Sequence, residues 1–277
     1  MTPAGAPLEA PALLRIKDLR VSYRRHRRPV RVVDGVSLSV DRGETVAVVG
    51  ESGAGKTSLA RAVVGLAPVE SGTIELCGQD VTRATPRQRR GLARRAQYIF
   101  QDPYSSLNPA RTIGQTLEEP LLARGVRGAK AARRIEEILD LVGIPGSARS
   151  RYPAAFSGGQ RQRIAIARAL LPAPDLVICD EPVSALDLSV QAQILNLLRT
   201  LQQRFGIGYL FIGHNLDVVR VVAHRTIVMR HGQVVEEGPS DVVAREPRHP
   251  YTQALLAATL PADPAQRRAR RALAPTL

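Results

Sequence analysis

Short apolar runs alternate with stretches of helical periodicity along most of this chain, and that alternation is its main structural signal. Residues 45–49, 176–179 and 209–212 are continuous apolar runs, each expected to be a strand covered on both faces. Residues 14–23 and 31–40 read as strands of another kind. There Val36, Leu38 and Val40 alternate with Ser37 and Ser39, the period-two pattern of a half-buried antiparallel strand. Residues 73–77 and 97–100 add short strands, and 226–229 with 233–237 read as a hairpin around His231-Gly232. Helix is expected over 57–65 and over most of 116–171. Within the latter, Ile135, Ile138, Leu139 and Val142 share one face until Gly143 and Pro145 end the pattern. Val190, Ile194, Leu197, Leu198, Leu201 and Phe205 mark an amphipathic helix of about five turns. Strands alternating with helices imply an α/β fold with a mainly parallel sheet, and a helical block is inserted between about Gln101 and Arg161.

Composition narrows the class. The 277 residues are 44% hydrophobic and 23% charged, which excludes wholesale disorder. Cys77 and Cys179 are the only cysteines, too few for a disulfide scaffold or a four-cysteine metal site. The apolar runs fall short of the roughly 18–20 residues that span a bilayer, and residues 1–11 lack a basic-then-apolar leader pattern, so a soluble intracellular protein is expected. The formal net charge of +14 comes almost wholly from arginine, since Lys17, Lys56 and Lys130 are the only lysines. Those arginines are dispersed and few aromatics accompany them, so a solvated basic surface is favoured over a nucleic-acid partner.

Candidate chemistry starts at Gly50-Glu51-Ser52-Gly53-Ala54-Gly55-Lys56-Thr57, a phosphate-loop pattern lying between an expected strand and an expected helix. Glycines let backbone N–H groups turn inward around phosphate oxygens, and the helix that follows adds its N-terminal partial charge. Lys56 is expected to reach the β- and γ-phosphates of a nucleotide, and Thr57 to ligate Mg²⁺. A second element supports it. The run 176–179 delivers Asp180 and Glu181 to a strand's C-terminal end, beside the loop if the two strands are neighbours in the sheet. Asp180 can hold the hydration shell of Mg²⁺, and Glu181 can accept a proton from an attacking water.

With Ser157-Gly158-Gly159-Gln160 added, the chain resembles the ABC-type ATPases, the nucleotide-binding subunits of ATP-driven transporters, from about residue 13 to 260. The resemblance implies a P-loop (RecA-like) core over 13–100 and 162–240 with an antiparallel β subdomain. It also implies a helical subdomain over 101–161 and a C-terminal extension over 241–277. It makes ATP and Mg²⁺ the cofactors. It implies that Tyr23 stacks on adenine, that Ser58 completes the phosphate loop after Thr57, and that Gln101 touches Mg²⁺ or water. Asp187 matches the D-loop, and His214 the switch histidine that contacts the γ-phosphate. In the family two subunits face head to tail, and residues 157–160 close over nucleotide held by the other. Phe156, the order Thr57-Ser58, Gly213 and Asn215 depart from the family's common forms without removing a needed functional group.

Tyr152-Pro153 resembles importers, and the segments 100–109 and 249–255 are similar to the dipeptide, oligopeptide and nickel importer branch. The implied function is an ATPase powering peptide import from the cytoplasmic face of the cell membrane, as a peripheral subunit. Its partners would be a second ATPase subunit, integral permease subunits and, indirectly, an extracytoplasmic binding protein. A nickel or metallophore importer of the same branch stays open. A soluble ABC protein remodelling nucleic acid or ribosomes is disfavoured, because no tandem half, long insert or zinc module is present. A small-molecule kinase leaves 157–160 without purpose. The tail from 260 to 277 has no cysteine, so no iron–sulfur cluster is expected there, and the cluster Arg267–Arg271 reads as a frayed solvated end rather than a lipid contact.

Overall fold

The side of each β-strand that is covered decides how this molecule is layered. A computed structural model of the chain describes residues 12–25, 28–102 and 106–258. Residues 1–11, the tail with Arg267 to Arg271, and residues 103–105 of the 100–109 segment lie outside the described residues.

β1 (Leu14–Arg25) and β2 (Arg28–Val40) pair antiparallel, with Leu14 opposite Val40 and Tyr23 opposite Val30. β3 (Thr45–Val49) follows, then a loop and α1 (Lys56–Val63). β4 (Val69–Leu76) and the short β5 (Gln79–Asp80) complete a four-stranded antiparallel sheet in the order β2-β1-β4-β5. β4 starts four residues before the expected strand. α2 (Pro86–Leu92) was not expected from periodicity, and its start is local. Thr85 caps it, its side chain accepting from the Gln88 N–H while Gln88 reaches back, and Pro86 occupies the first turn.

β6 (Ala96–Ile99) leads to the helical block: α3 (Ile113–Leu122), α4 (Gly128–Leu141), two 3₁₀ turns at Gly146–Ser150 and Pro153–Ala155, and α5 (Gly158–Leu170). The chain then alternates through β7 (Leu176–Asp180), α6 (Leu188–Phe205), β8 (Gly208–Gly213), α7 (Leu216–Val222), β9 (Arg225–Arg230), β10 (Gln233–Pro239), α8 (Ser240–Arg245) and α9 (Pro250–Ala258). The second sheet has six strands in the order β10-β9-β3-β8-β7-β6. It is parallel except for the hairpin partner β10.

Both faces of β3, β7 and β8 are covered, as their unbroken apolar runs require. Ala47, Val49, Val177, Cys179, Tyr209 and Phe211 join the core formed with the helices of the 113–170 block and α6. Val46, Val48, Leu176, Ile178, Leu210 and Ile212 join a second core with α1 and the antiparallel sheet. Alternate residues of one strand thus belong to different cores, which fixes the register of each strand against slippage. Among the described residues no helix is long and apolar enough to cross a membrane.

The sequence leaves open whether the strands before the loop and before the acidic pair are neighbours. β3 and β7 are not neighbours, because β8 lies between them. The acidic pair still reaches the loop after β3. All three strands are parallel, so their C-terminal ends open onto the same edge, and Asp180 spans the gap to the helix that follows β3.

Candidate functional site

The C-terminal edge of the six-stranded sheet collects the chain's polar chemistry. After Val49 the backbone turns through residues 50–55 in a conformation that only glycine takes at two points. Gly50 has φ 154°, and a Cβ there would stand 2.2 Å from the Met229 carbonyl oxygen; Gly55 has φ 98°, and a Cβ would stand 2.2 Å from the Val32 carbonyl oxygen. The loop is therefore wedged between the end of β9 and β2. Its outer side is tied by the Gly232 N–H donating to Ala54 O at 3.1 Å, while Gly232 O accepts from the Asp34 N–H at 2.8 Å.

Inside the loop, Lys56 is only 5% exposed and donates to the carbonyls of Gly50 and Glu51 at 2.7 and 2.8 Å. Burial pulls its ammonium below the ordinary lysine pKa, while the carboxylates of Glu181, Asp180 and Glu51 pull it back. Ser52 and Gly53 are exposed at the rim, Ala54 is buried, and Ser58 faces half-buried from the first turn of α1.

Asp180 is 3% exposed, and both its oxygens are occupied. Thr57 Oγ1 donates to Oδ1 at 3.1 Å, and the Tyr98 hydroxyl donates to Oδ2 at 2.7 Å. Tyr98 was not among the sequence candidates. Its signal was its place in β6, the edge strand beside β7 (register Tyr98 opposite Ile178), where a phenol can reach across to the next strand end. Burial first, then the bond to Asp180, pushes the phenol's pKa upward, so it stays a donor. Tyr98→Phe is expected to cost about 1–3 kcal/mol of folding stability without ligand, because one oxygen of a buried carboxylate loses its donor. A denaturant titration with an unchanged midpoint would contradict that.

Glu181 follows in a left-handed conformation at φ 46°, rare for a residue with a side chain, and its N–H donates to Ile212 O of β8 at 3.0 Å. This turn aims the carboxylate away from Asp180. Its Oε2 accepts from Gln101 Nε2 at 3.0 Å and lies 3.4 Å from His214 Nδ1. Gln101, Glu181 and His214 come from the ends of three consecutive strands of the sheet, β6, β7 and β8. Asn215, a departure from the common pattern, caps α7 by accepting from the Asp217 and Val218 N–H groups at 2.8 and 3.4 Å.

Other candidates stand apart. Tyr23 is half-buried on β1 and packs against the core under the antiparallel sheet. Ser157 caps α5, its hydroxyl accepting from the Gln160 N–H at 3.3 Å while the Gln160 side chain accepts from the Ser157 N–H at 3.0 Å. Gly158 and Gly159 make the first turn of α5. Among the described residues no hydrogen bond joins 157–160 to 50–58, and Ser157 and Gln160 face solvent. Asp187 caps α6. It is held below the usual carboxylate range by the Val190 N–H and then by the Ser189 hydroxyl. The sequence also missed Tyr251, whose hydroxyl accepts from the Glu51 N–H at 2.9 Å.

The donors suit an anion with a hard cation. A buried ammonium at the start of α1 lies close to a hydroxyl and a carboxylate, and Mg²⁺ takes one or two carboxylates together with phosphate oxygens. Among the described residues no cluster of three or more His, Cys, Asp or Glu side chains could hold a metal by itself.

Comparison with known proteins gives the chain's family. The family model described as ABC transporter matches residues 33–184, and the one described as the oligopeptide/dipeptide transporter C-terminal region matches 235–276. A Brucella abortus (strain 2308) protein named as a putative peptide import ATP-binding protein is 48% identical over 245 residues, covering 87% of this chain and 73% of its own. The oligopeptide transport ATP-binding protein OppD of Mycobacterium bovis is 45% identical over 267 residues, covering 94% of this chain but 44% of its own. Among solved structures, cbiO1 from Clostridium perfringens, part of the ABC transporter complex cbiONQ, superposes with TM-score 0.76 at 24% identity, covering 85% of this chain and 92% of that one. A dimeric ATP-binding cassette in a post-hydrolysis state bound to ADP and Pi superposes with TM-score 0.74 at 25% identity, covering 82% and 98%.

Proposed function

Since this chain belongs to the ABC transporter family, we propose that it is the ATP-hydrolysing subunit of an importer for peptides. The observation that carries the reading is the convergence of Lys56, Thr57, Asp180, Glu181, Gln101 and His214 at one sheet edge. The match of residues 235–276 and the names of the relatives support peptides as cargo.

ATP enters with its phosphates over residues 50–57, and Lys56 exchanges the Gly50 and Glu51 carbonyls for phosphate oxygens. Tyr23 offers its ring to the adenine. Thr57 and Gln101 would offer oxygen donors to Mg²⁺ and Asp180 would hold its hydration shell; the ion would spread the negative charge of the phosphate oxygens. Glu181 takes a proton from water as that water attacks the γ-phosphorus and the bond to the β-phosphate oxygen breaks, giving ADP and inorganic phosphate. Gln101 and His214 hold the Glu181 carboxylate in one orientation from either side, and His214 is exposed enough to turn toward the γ-phosphate.

The solvent-facing position of Ser157 and Gln160 fits a site completed by association. In a head-to-tail pair, the N-terminus of α5 in one subunit closes on the nucleotide of the other, with Asp187 flanking the contact. Ser157→Arg is therefore expected to keep nucleotide binding, lose about 1 kcal/mol of stability through the missing cap, and abolish turnover. Phosphate release at a wild-type rate by this variant would remove the composite site.

The subunit works at the cytoplasmic face of the membrane against integral permease subunits, with an extracytoplasmic binding protein delivering cargo. The test is uptake into proteoliposomes holding the chain with the membrane subunits that co-purify with it. ATP-driven accumulation of labelled di- or oligopeptide is expected. Accumulation of nickel without peptide would move the cargo to the metal importers of the same branch. RNA or DNA recovered with the chain at physiological salt would move it out of transport altogether.

A further inference from the structure

The C-terminal helix reaches the phosphate loop through one hydroxyl. Glu51 N–H and Gly50 C=O belong to the same peptide unit. The first donates to the Tyr251 hydroxyl at 2.9 Å, and the second accepts from Lys56 Nζ at 2.7 Å. The loop's lysine and a residue two hundred positions away thus hold opposite ends of a single peptide plane.

The ring and backbone of Tyr251 are held on several sides. The residue is 6% exposed, and the Arg230 guanidinium lies 4.9 Å from its ring centroid. Its own N–H donates to His249 Nδ1 at 3.1 Å. The segment before it is tied to β10, because the Glu236 carboxylate accepts from the Arg248 and His249 N–H groups at 2.8 and 3.1 Å. Burial is the largest influence and opposes the charge of Glu236, but the hydrogen bonds it accepts, that from the Arg248 N–H foremost, together hold it below the usual carboxylate range. On the loop side, Gly50 is pressed against the Met229 carbonyl and has no room to shift toward β9.

We propose that Tyr251 is a positioning residue for the phosphate loop, holding the Gly50–Glu51 peptide so that its carbonyl keeps facing the lysine side when nucleotide draws Lys56 away. The inference rests on the ATP-binding role proposed above and gives the 249–255 segment a mechanical task within it. When Lys56 leaves Gly50 O for a phosphate, that carbonyl loses its strongest partner. A peptide with neither end held can rotate, and the loop must then be reordered at each binding event, at the expense of affinity. A peptide whose N–H stays on Tyr251 does not rotate. Tyr251 touches no phosphate in this arrangement, so its effect falls on nucleotide binding and not on the chemical step. By linkage the coupling runs both ways, and bound nucleotide must also steady α9.

Tyr251→Phe removes the hydroxyl and keeps the ring and its packing. The expected result is a KM for ATP, and a calorimetric Kd for a non-hydrolysable analogue, raised about three- to tenfold with kcat within twofold of wild type. In hydrogen-exchange measurements, nucleotide is expected to protect the backbone of 250–258 in the wild type and to lose that effect in the variant. The unfolding midpoint of the nucleotide-free variant, expected within about 4 °C of wild type, reports that the fold is kept. Equal affinities in the two proteins overturn the role of Tyr251, as does a fall in kcat at unchanged KM. A wild-type chain that binds no ATP overturns the proposed function itself.

Discussion

Glu181→Gln is expected to bind ATP as the wild type does and to hydrolyse it about 10²–10⁴-fold more slowly, the range that general-base catalysis contributes. The substitution is nearly isosteric. The amide oxygen of the substituted side chain can still accept from Gln101 Nε2, and the strained turn at φ 46° with its bond to Ile212 O is a backbone feature that the change leaves alone. What disappears is the negative charge to which the proposed mechanism gives the proton of the attacking water. Removing that charge also relieves repulsion with Asp180, its neighbour in sequence, so binding does not suffer. Phosphate release under saturating ATP measures the first expectation and calorimetry the second. Turnover within tenfold of the wild type would mean that another group is the base, and His214, 3.4 Å away, would be the next to examine.

Lys56→Ala is expected to weaken ATP binding by about 10²-fold. Its ammonium makes two charge-assisted hydrogen bonds to carbonyls in the open loop, and these are to be replaced by two to phosphate oxygens at about 1.5–3 kcal/mol each. The loss has a second component. Lys56 is the buried cation facing Asp180, Glu181 and Glu51, and without it those carboxylates meet the incoming phosphates unopposed. Calorimetry with a non-hydrolysable analogue decides the matter. An affinity within threefold of wild type would contradict the placement of phosphates in the loop.

Much of this arrangement was legible in the residues, and the parts that were not have physical reasons. The strands 45–49, 176–179 and 209–212 were readable because a doubly covered strand leaves an unbroken apolar run, and the structure buries every residue of β3, β7 and β8. The helix with Val190 and Phe205 was readable from its stripe, and α4 from the glycine that stops it. Sheet order was not readable. Hydrophobic patterning says which faces are covered and nothing about which strand lies beside which, so β8 between β3 and β7 came only from the structure. α2 was missed because its seven residues, three of them arginine, carry no apolar stripe. Its signal was the capping box at Thr85 and Gln88. The same chemistry recurs at Ser157 and Gln160, where the motif proposed to close on nucleotide is also the cap that starts α5.

The site divides in the same way. Lys56, Thr57, Asp180 and Glu181 sit in short motifs whose spacing carries their chemistry. Tyr98 and Tyr251 are joined to the site by single hydroxyls brought in by tertiary contacts across 82 and 200 positions, and no local pattern announces such a bond.

Imaging the assembled transporter with a non-hydrolysable ATP analogue is the most direct measurement. The expected map has the terminal phosphate beside Lys56 of this chain, and residues 157–160 of this chain seated on the nucleotide of the adjoining subunit. Nucleotide bound throughout with 157–160 still turned to solvent would contradict a site that association completes.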